Sequence, residues 1–445
     1  MFKMIITLLL IVSVSNADLE LENNRYVFMT ADSQIVAKMT QDDKRVYPFK
    51  STMEPLLGYV SESNQGKYAL EEAVGKATFS APDIQQVQLT IDLSLQAQVE
   101  QILDTYKEKL QAEDILTAVM ESNTGRILAM ASSNRYDPNH IKKEDVYSII
   151  QKFSAWPHEP GYVMAPLSLA IALDKGLVEP KTVFNLYGGR MQLDDHYIIK
   201  DSEKFDTLDV TDIILHSSNI GVLQVSQLLS GYELREGLKK FGFADHSYIE
   251  FLHDYKGFLK PVETLEILIH RASTSYGYGM MATFTQLLKA YNAFNNDGMT
   301  VTPYLINALQ DSRGDSFEIS HQNGIQAIGA KTAQVMHGIL LENVKGGTGM
   351  NTQYDGLEIG GKTGTAYIAK NGRYVREFHS SFYGFANDGK GNKYTIGVLV
   401  VRAKAPNAYV SSRSAVPIFR KTIESLVQTE YLQPYIPKEG NINDK

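Results

Sequence analysis

Two short stretches of the chain carry polar side chains of the kinds that bind a peptide and move a proton. The first is "HSSNIGV", with Ser217, Ser218 and Asn219, and the second is "GGKTGTAY", with Lys362. A lysine supplies positive charge to a carboxylate, while hydroxyl and amide groups both donate and accept hydrogen bonds. The chain has no cysteine, which excludes thiol nucleophiles, thiolate metal sites and disulfides. We predict neither a cofactor nor a metal ion.

The lysine stretch allows two interpretations. Residues 356–363, "GLEIGGKT", fit the phosphate-loop pattern G-x-x-x-x-G-K-[ST]. That loop follows a buried strand and opens a helix, whereas here "QYD" precedes it and "GTAYIA" follows it. We therefore predict an exposed sheet strand, on which Gly364 lets an extended peptide align as an added strand. A nucleotide site is the remote alternative.

The elements that must position these residues have clear patterns. Asp92 is predicted to cap a helix that follows the strand "VQLTI", and two apolar strands flank the turn "NTG" as a hairpin. Helices are predicted over "VMAPLSLAIALDKG", "TFTQLLKAYNAFNNDG" and residues 416–428, and strands over 359–369, 380–386 and 394–402. Strands at both ends of a helical middle predict an α+β domain whose sheet joins the two ends of the chain. The net charge of −8 gives no electrostatic reason to expect a nucleic acid partner.

The N-terminus predicts export. "MFK" is basic, "MIITLLLIVSV" is an apolar run of 11 residues, and "SNA" suits cleavage, so residues 1–17 are predicted to be a secretory signal peptide. The alternative is an uncleaved anchor that extends into neighbouring residues. Residues 18–85 would then form a short arm, 86–430 the main domain and 431–445 a tail. We expect a periplasmic protein that touches the cytoplasmic membrane only if the signal remains attached.

Longer stretches occur around the two motifs in a consistent order, namely "TIDLSLQAQVEQIL", "TGRILAMASSNRYDPN", "YGYGMMATFTQLLKAYNAFNNDG", "GGTG" and "SSFYGFAND". Together they resemble the transpeptidase domain of class B penicillin-binding proteins over about residues 25–430. The resemblance implies a penicillin-recognising fold, with an antiparallel sheet flanked by helices, an all-helical part and a short N-terminal arm. It also implies that Asn219 holds a substrate amide and that Ser217 relays a proton. The remaining substrate-binding residues that it implies are Lys362, Thr363, Gly364 and Thr365.

The chain departs from that family at the catalytic motif. In the family, a serine in S-x-x-K opens a helix and attacks a D-Ala–D-Ala peptide of peptidoglycan, with the lysine one turn later as its base. The matching stretch here is "EPGYVMAP", which places Tyr162 at the serine position and Ala165 at the lysine position. No serine in the chain is followed by a lysine three residues later. The oxyanion hole is expected from the backbone N–H groups of Tyr162 and Thr365, which any side chain leaves in place.

Two hypotheses for function follow. In the first, the protein is a catalytically inactive transpeptidase homologue in which Tyr162 plugs the site, and it binds peptidoglycan stem peptide or another wall-synthesis protein. In the second, it is an active D,D-transpeptidase in which Tyr162 is the nucleophile in the positive field of Lys362. A phenol with a pKa near 10 needs a base or a strong field to react, and Ala165 supplies no base. We favour the first hypothesis.

Overall fold

The structure is a computed structural model that describes residues 26–78, 83–193, 197–322 and 324–435. The predicted signal peptide and residues 436–445 of the predicted tail lie outside the described residues. In the described ranges, no helix combines the length and the apolar character that crossing a membrane requires.

Strands and helices are numbered along the chain. The strands are β1 Val27–Met29, β2 Ile35–Met39, β3 Arg45–Val46, β4 Tyr59–Val60, β5 Gly66–Lys67, β6 Ile84–Leu89, β7 Asp114–Glu121, β8 Ile127–Ser132, β9 Val183–Asn185, β10 Arg190–Gln192, β11 Ile198–Lys200, β12 Thr207–Asp209, β13 Met299–Thr300, β14 Ile306–Asp311, β15 Ser316–Glu318, β16 Ile325–Gln326, β17 Glu358–Lys370, β18 Arg373–Asn387 and β19 Lys393–Val401. The α-helices are α1 Ala69–Thr78, α2 Leu93–Leu110, α3 Val146–Ile149, α4 Lys152–Ala155, α5 Ala165–Asp174, α6 Val210–Leu215, α7 Asn219–Gln227, α8 Gly231–Lys240, α9 Val262–Leu265, α10 Leu268–Ser275, α11 Phe284–Asn292, α12 Ala330–Gly346 and α13 Ala415–Gln428. Short 3₁₀ helices cover Lys143–Asp145, Gly161–Met164, Tyr187–Gly189, Ala293–Asn295, Met350–Thr352 and Ser411–Arg413.

The main sheet is antiparallel and has the order β17-β18-β19-β7-β8. Along β7, Ile115 and Val119 face a core shared with α2 and α13, whereas Leu116 and Met120 face a second core that contains α5 and α11. Because both faces are covered, these strands are continuous apolar runs. The predicted α+β fold, with a sheet built from the two ends of the chain, is confirmed. The predicted helix cap is also confirmed, since Asp92 Oδ1 accepts from the N–H of Leu95 at 2.8 Å.

A second sheet has the order β15-β14-β6-β1-β2-β3. The two predicted short strands of the arm are present as β1 and β2, and β6 pairs in parallel with β1 and antiparallel with β14. Since β6 spans residues 84–89, it crosses the predicted boundary between arm and main domain. The arm and the main domain therefore share one sheet.

The helices from α5 to α10 form the helical part beside the main sheet. Helix α5 is buried on all sides from Ala165 to Ala172, which explains why its sequence is apolar all round. It packs against α7 and α8, and the turn between α6 and α7 faces β17. This arrangement brings the two polar stretches and "EPGYVMAP" to one place.

Candidate active-site cleft

The cleft lies where three segments meet. These are the edge strand β17, the turn between α6 and α7, and the 3₁₀ helix Gly161–Met164 that leads into α5. Each carries one of the stretches singled out in the sequence. The sheet thus forms one wall of the cleft and the helical part forms the other. The 3₁₀ helix Gly161–Met164 forms the floor, with Tyr162 at the position that matches the family serine.

Lys362 is fully buried in the middle of β17. Its Nζ donates to Ser217 Oγ at 2.7 Å, to Thr348 Oγ1 at 2.9 Å and to Thr363 Oγ1 at 3.3 Å. The Thr363 hydroxyl also donates to Thr348 Oγ1 at 2.7 Å. We call Lys362 with these three hydroxyls the hydroxyl cage.

The hydroxyl cage leaves the lysine charge without a counter-ion. Within the described parts of the chain, the hydrogen-bond partners of Lys362 Nζ are neutral hydroxyls and no carboxylate forms an ion pair with it. Burial therefore lowers the pKa of Lys362 to about 7. A ligand carboxylate next to the cage would supply the missing negative charge and favour the protonated amine.

Tyr162 crosses the cleft from the 3₁₀ helix to the helical part. Its hydroxyl donates to the carbonyl oxygens of Ile213 at 3.2 Å and Ser218 at 3.0 Å. Its ring centre lies 5.3 Å from Lys362 Nζ. Burial and, to a lesser extent, the charge of Asp201 raise the pKa of Tyr162 well above its usual value. The phenol therefore stays protonated and links the two walls of the cleft.

Close packing fixes the backbone of Tyr162 against β17. Gly161 has a φ of 67°, and a Cβ there would lie 2.8 Å from a carbonyl oxygen of β17. A Cβ on Gly364 would lie 2.7 Å from the side chain of Val163. The OH of Tyr291, on α11, donates to the carbonyl oxygen of Val163 at 2.7 Å. The lack of a side chain at Gly364 thus serves the contact with the 3₁₀ helix, a role that the sequence did not indicate.

Helix α5 offers no proton acceptor to the phenol. Ala165, its first residue, is fully buried and ends in a methyl group. Ser168 is also buried, and its hydroxyl donates to the carbonyl oxygen of Ser275 at 3.1 Å. A tyrosine nucleophile would therefore have no base from this helix.

The three polar residues of the turn between α6 and α7 have different hydrogen-bond partners. Ser217 has a left-handed φ of 56°, and its hydroxyl is the closest member of the hydroxyl cage to Lys362 Nζ. Ser218 caps α7 with its side chain. Asn219 donates from Nδ2 to the carbonyl oxygen of Lys200 at 3.1 Å. Its amide is therefore held towards β11, and the role that the resemblance gives it stays a prediction.

Two residues of the cleft were not singled out from the sequence. Thr348 completes the hydroxyl cage, and the only signal for it was the "GGTG" stretch among the family blocks. Ser411 donates to the carbonyl oxygen of Gly364 at 2.5 Å, and its Oγ lies 3.2 Å from Thr365 Oγ1. No group of three His, Asp or Glu side chains in the described residues is placed to hold a metal ion.

The structure excludes the remote alternative for the lysine stretch and corrects one detail of the favoured interpretation. The phosphate-loop pattern at residues 356–363 runs into a 13-residue strand and opens no helix, so its backbone N–H groups belong to a sheet. The strand is also not exposed at the motif, because Lys362, Thr363 and Gly364 are buried and only Thr365 is half-buried. Although β17 is the edge of the sheet, it is covered by the 3₁₀ helices Gly161–Met164 and Ser411–Arg413 and by the "GGTG" turn.

A sequence model of the penicillin binding protein transpeptidase domain matches residues 115–424. The chain belongs to this transpeptidase family. The predicted resemblance to class B penicillin-binding proteins is confirmed, and the protein is a transpeptidase homologue in peptidoglycan synthesis.

Individual relatives agree with the family assignment. The chain is 26% identical to a peptidoglycan D,D-transpeptidase FtsI homolog of Mesostigma viride, over 96% of this chain and 82% of the relative. It is 28% identical to the probable peptidoglycan D,D-transpeptidase PenA of Neisseria flavescens, over 79% of this chain and 85% of the relative. The crystal structure of penicillin binding protein 3 from Mycobacterium tuberculosis has the same fold, with a TM-score of 0.84 at 24% identity over 93% of this chain and 98% of that chain.

Proposed function

We propose that this transpeptidase homologue binds the carboxylate end of an uncrosslinked peptidoglycan stem peptide and does not transfer its acyl group. One observation carries the proposal: the lysine and the three hydroxyls of the hydroxyl cage are all in hydrogen-bond contact, whereas Tyr162 beside them is a protonated phenol that is no nucleophile. Lys362 is a buried amine whose protonated form has no counter-ion among the described residues, which favours a carboxylate ligand. The protein would act as an accessory in wall synthesis, through the peptide itself or through another wall-synthesis protein.

The alternative, in which Tyr162 attacks the substrate, has the geometry against it. Attack requires the phenolate, yet burial raises the pKa of this phenol well above its usual value. Its proton is directed at two backbone carbonyls, which hold it but do not remove it. In a serine enzyme, loss of the nucleophile costs roughly 10⁶ in turnover. Acyl transfer by this chain would therefore be negligible.

The first experiment is the intact mass of the protein after incubation with a reactive penicillin. The wild type is compared with a Tyr162→Ser/Ala165→Lys double variant and with the Tyr162→Ser single variant. We expect no adduct on the wild type and an adduct of one penicillin mass on the double variant. An adduct on the wild type that peptide mapping assigns to Tyr162 would overturn the proposal and favour the alternative.

The second experiment separates peptide binding from partner binding. Titration calorimetry of the wild type with a peptide ending in D-Ala–D-Ala should give heat, and the same peptide with a C-terminal amide should give none. No heat with either peptide would refute stem-peptide binding. Crosslinking in intact envelopes, followed by pull-down, would then test the partner version, which fails if no wall-synthesis protein is recovered.

The N-terminal sequence supports export, and the proposed ligand is a periplasmic polymer. We place the protein in the periplasm, facing the wall. Cell fractionation with a cytoplasmic and a periplasmic marker tests this location. Recovery with the cytoplasmic marker alone would contradict it.

A further inference from the structure

Side chains from other elements close the outer edge of β17 at two points. Because β17 is the edge strand of an antiparallel sheet, every second residue turns its N–H and C=O groups away from β18. Asn343 Nδ2, on α12, donates to the carbonyl oxygen of Gly361 at 2.7 Å. At the other point, the Tyr278 OH accepts from the N–H of Tyr367 at 3.1 Å. Gly361 and Tyr367 are therefore outward-facing residues that already have partners.

Two outward-facing residues, Thr363 and Thr365, lie between these points, since the pairing with β18 is regular up to Tyr367. The carbonyl oxygen of Thr365 faces the 3₁₀ helix, where a Cβ on Gly161 would lie 2.8 Å from it. In the part of the chain that the structure describes, the backbone groups of the two threonines form no hydrogen bond to backbone outside the sheet. At about 3.4 Å per residue, the stretch from Thr363 to Thr365 is about 7 Å long. An added strand therefore finds partners over a length of three residues.

The hydroxyl cage fixes where such a strand would end. It lies at the level of Lys362 and Thr363, and the proposed function places the ligand carboxylate there. If the last residue of an extended peptide lies beside Thr363, the third residue from the end lies beside Thr365. The fifth residue from the end would lie beside Tyr367, whose N–H is bonded to Tyr278. Pairing along β17 is thus blocked beyond the third residue.

Hydrogen bonds on both sides of Tyr278 hold it in this position. The N–H of Gly279 donates to Glu159 Oε1 at 2.6 Å. The carbonyl oxygen of Gly277 accepts from the N–H of Gly161 at 3.1 Å. Both bonds connect the tyrosine segment to the loop that leads into the 3₁₀ helix at the floor of the cleft. Tyr278 therefore closes the edge of β17 before any ligand arrives.

We propose that Tyr278 is a specificity-determining residue that ends the added strand after the third residue from the C-terminus of the ligand. The ligand is then a peptide ending in D-Ala–D-Ala, of which at most three residues pair with β17 and the fourth turns away from the sheet. Residues further from the C-terminus add no backbone pairing and can vary without loss of affinity. The inference rests on the proposed function, because it takes the hydroxyl cage as the receptor of the carboxylate.

Peptides of different length test this limit by titration calorimetry. N-acetylated peptides of two, three and five residues, all ending in D-Ala–D-Ala and extended with alanine, are titrated into the wild type. The affinity should rise from two to three residues and stay the same from three to five. In Tyr278→Ala the N–H of Tyr367 is free, so the five-residue peptide should bind about fivefold more tightly than the three-residue peptide, as expected for one more hydrogen bond. Tyr278→Phe keeps the ring in place and should show no such gain.

The matched control is Tyr276→Ala, at a half-buried tyrosine whose ring centre lies 6.1 Å from that of Tyr278. It removes a neighbouring ring and leaves the bond to Tyr367 in place, so it should behave as the wild type. Circular dichroism establishes that each variant is folded. A wild-type affinity that rises further from three to five residues would overturn the proposal. A folded Tyr278→Ala variant without any gain for the longer peptide would also overturn it.

Hydrogen exchange tests the closed edge without a ligand. Measured by mass spectrometry with residue-resolved fragmentation, the N–H of Tyr367 should exchange more slowly than that of Thr365 in the wild type. Tyr278→Phe removes the acceptor and should speed the exchange at Tyr367. Absence of heat with every peptide would refute the proposed function. The exchange would then decide on the closed edge alone, which is refuted if Tyr278→Phe leaves the exchange at Tyr367 unchanged.

Discussion

If Lys362 receives a ligand carboxylate, as we propose, its lowered pKa makes binding depend on pH in a defined direction. If only the protonated amine binds a carboxylate, the apparent affinity follows the protonated fraction of the free protein. With a pKa of about 7, that fraction falls from about 0.9 at pH 6 to about 0.1 at pH 8. The affinity for a peptide ending in D-Ala–D-Ala should therefore fall about tenfold between these values. The peptide carboxylate is ionised throughout this range and adds no dependence of its own.

The assay is titration calorimetry at pH 6 and pH 8, in two buffers with different heats of ionisation. At pH 8, binding should take up about 0.9 proton, since most of the amine is neutral before the ligand arrives. Lys362→Met should remove both the binding and the proton uptake. Glu250 is a matched control, because burial also raises its pKa to about 7, but its carboxylate bonds to the N–H groups of Leu305 and Ile306, on the second sheet. Glu250→Gln should leave the tenfold change intact.

A flat affinity from pH 6 to pH 8, with no proton uptake, would refute the idea that the buried lysine is the carboxylate receptor. An affinity that rises with pH would show that a group which must lose a proton controls binding. If the pH dependence of the affinity disappears in Glu250→Gln but persists in Lys362→Met, then Glu250 causes it and Lys362 does not.

Three further predictions concern stability. Tyr162→Phe removes the hydroxyl that links the two walls and should lower the free energy of unfolding by about 1–2 kcal/mol in urea titrations, without creating a penicillin adduct. Lys362→Met removes the pH-dependent penalty of burying a charged amine, so the gain in free energy of unfolding over the wild type should be larger at pH 6 than at pH 9, by about 2–3 kcal/mol. The reason is that the folded pKa of about 7 lies below the unfolded value of about 10.4, so the wild type gains stability as pH rises through this window. Arg45→Met leaves the buried carboxylate of Glu71 without its ion pair and should cost about 3–5 kcal/mol in the same titrations. The exposed pair of Lys76 is the control, since Lys76→Met should change stability by less than about 0.5 kcal/mol.

The parts of the fold that the sequence predicted are those with local signals. The hairpin β7–β8 has a turn between two apolar runs, and Asp92 directly precedes a helical apolar pattern, so neighbouring residues are enough to define both. The sharing of β6 between arm and main domain depends on pairing with β14, which lies far along the chain. No local sequence pattern indicates that β14 pairs with β6, and the predicted boundary between arm and main domain therefore fell inside β6.

The candidate site also has a part that the sequence predicted and a part that it did not. The resemblance placed Ser217 and Lys362 in one cleft, because the order of the motifs is a property of the family. It did not place Thr348, whose role depends on a turn that folds back over β17. It also did not reveal the acceptors of the Tyr162 hydroxyl, since backbone carbonyls carry no signature in a sequence. The burial of Lys362 was also missed, because loops from distant parts of the chain cover this edge strand and no local pattern reveals them.

Each of the two sheets contains a pair of neighbouring strands that lie far apart in the sequence, β6 with β14 and β7 with β19. During synthesis, the residues up to β8 emerge with two unfinished sheet edges that only much later residues can satisfy. We therefore expect the main sheet to form only after β19 is available, and fragments that stop before β19 should lack it. If the protein is exported in an unfolded state, as the proposed periplasmic location implies, such a delay would postpone compaction until the last strands have crossed the membrane.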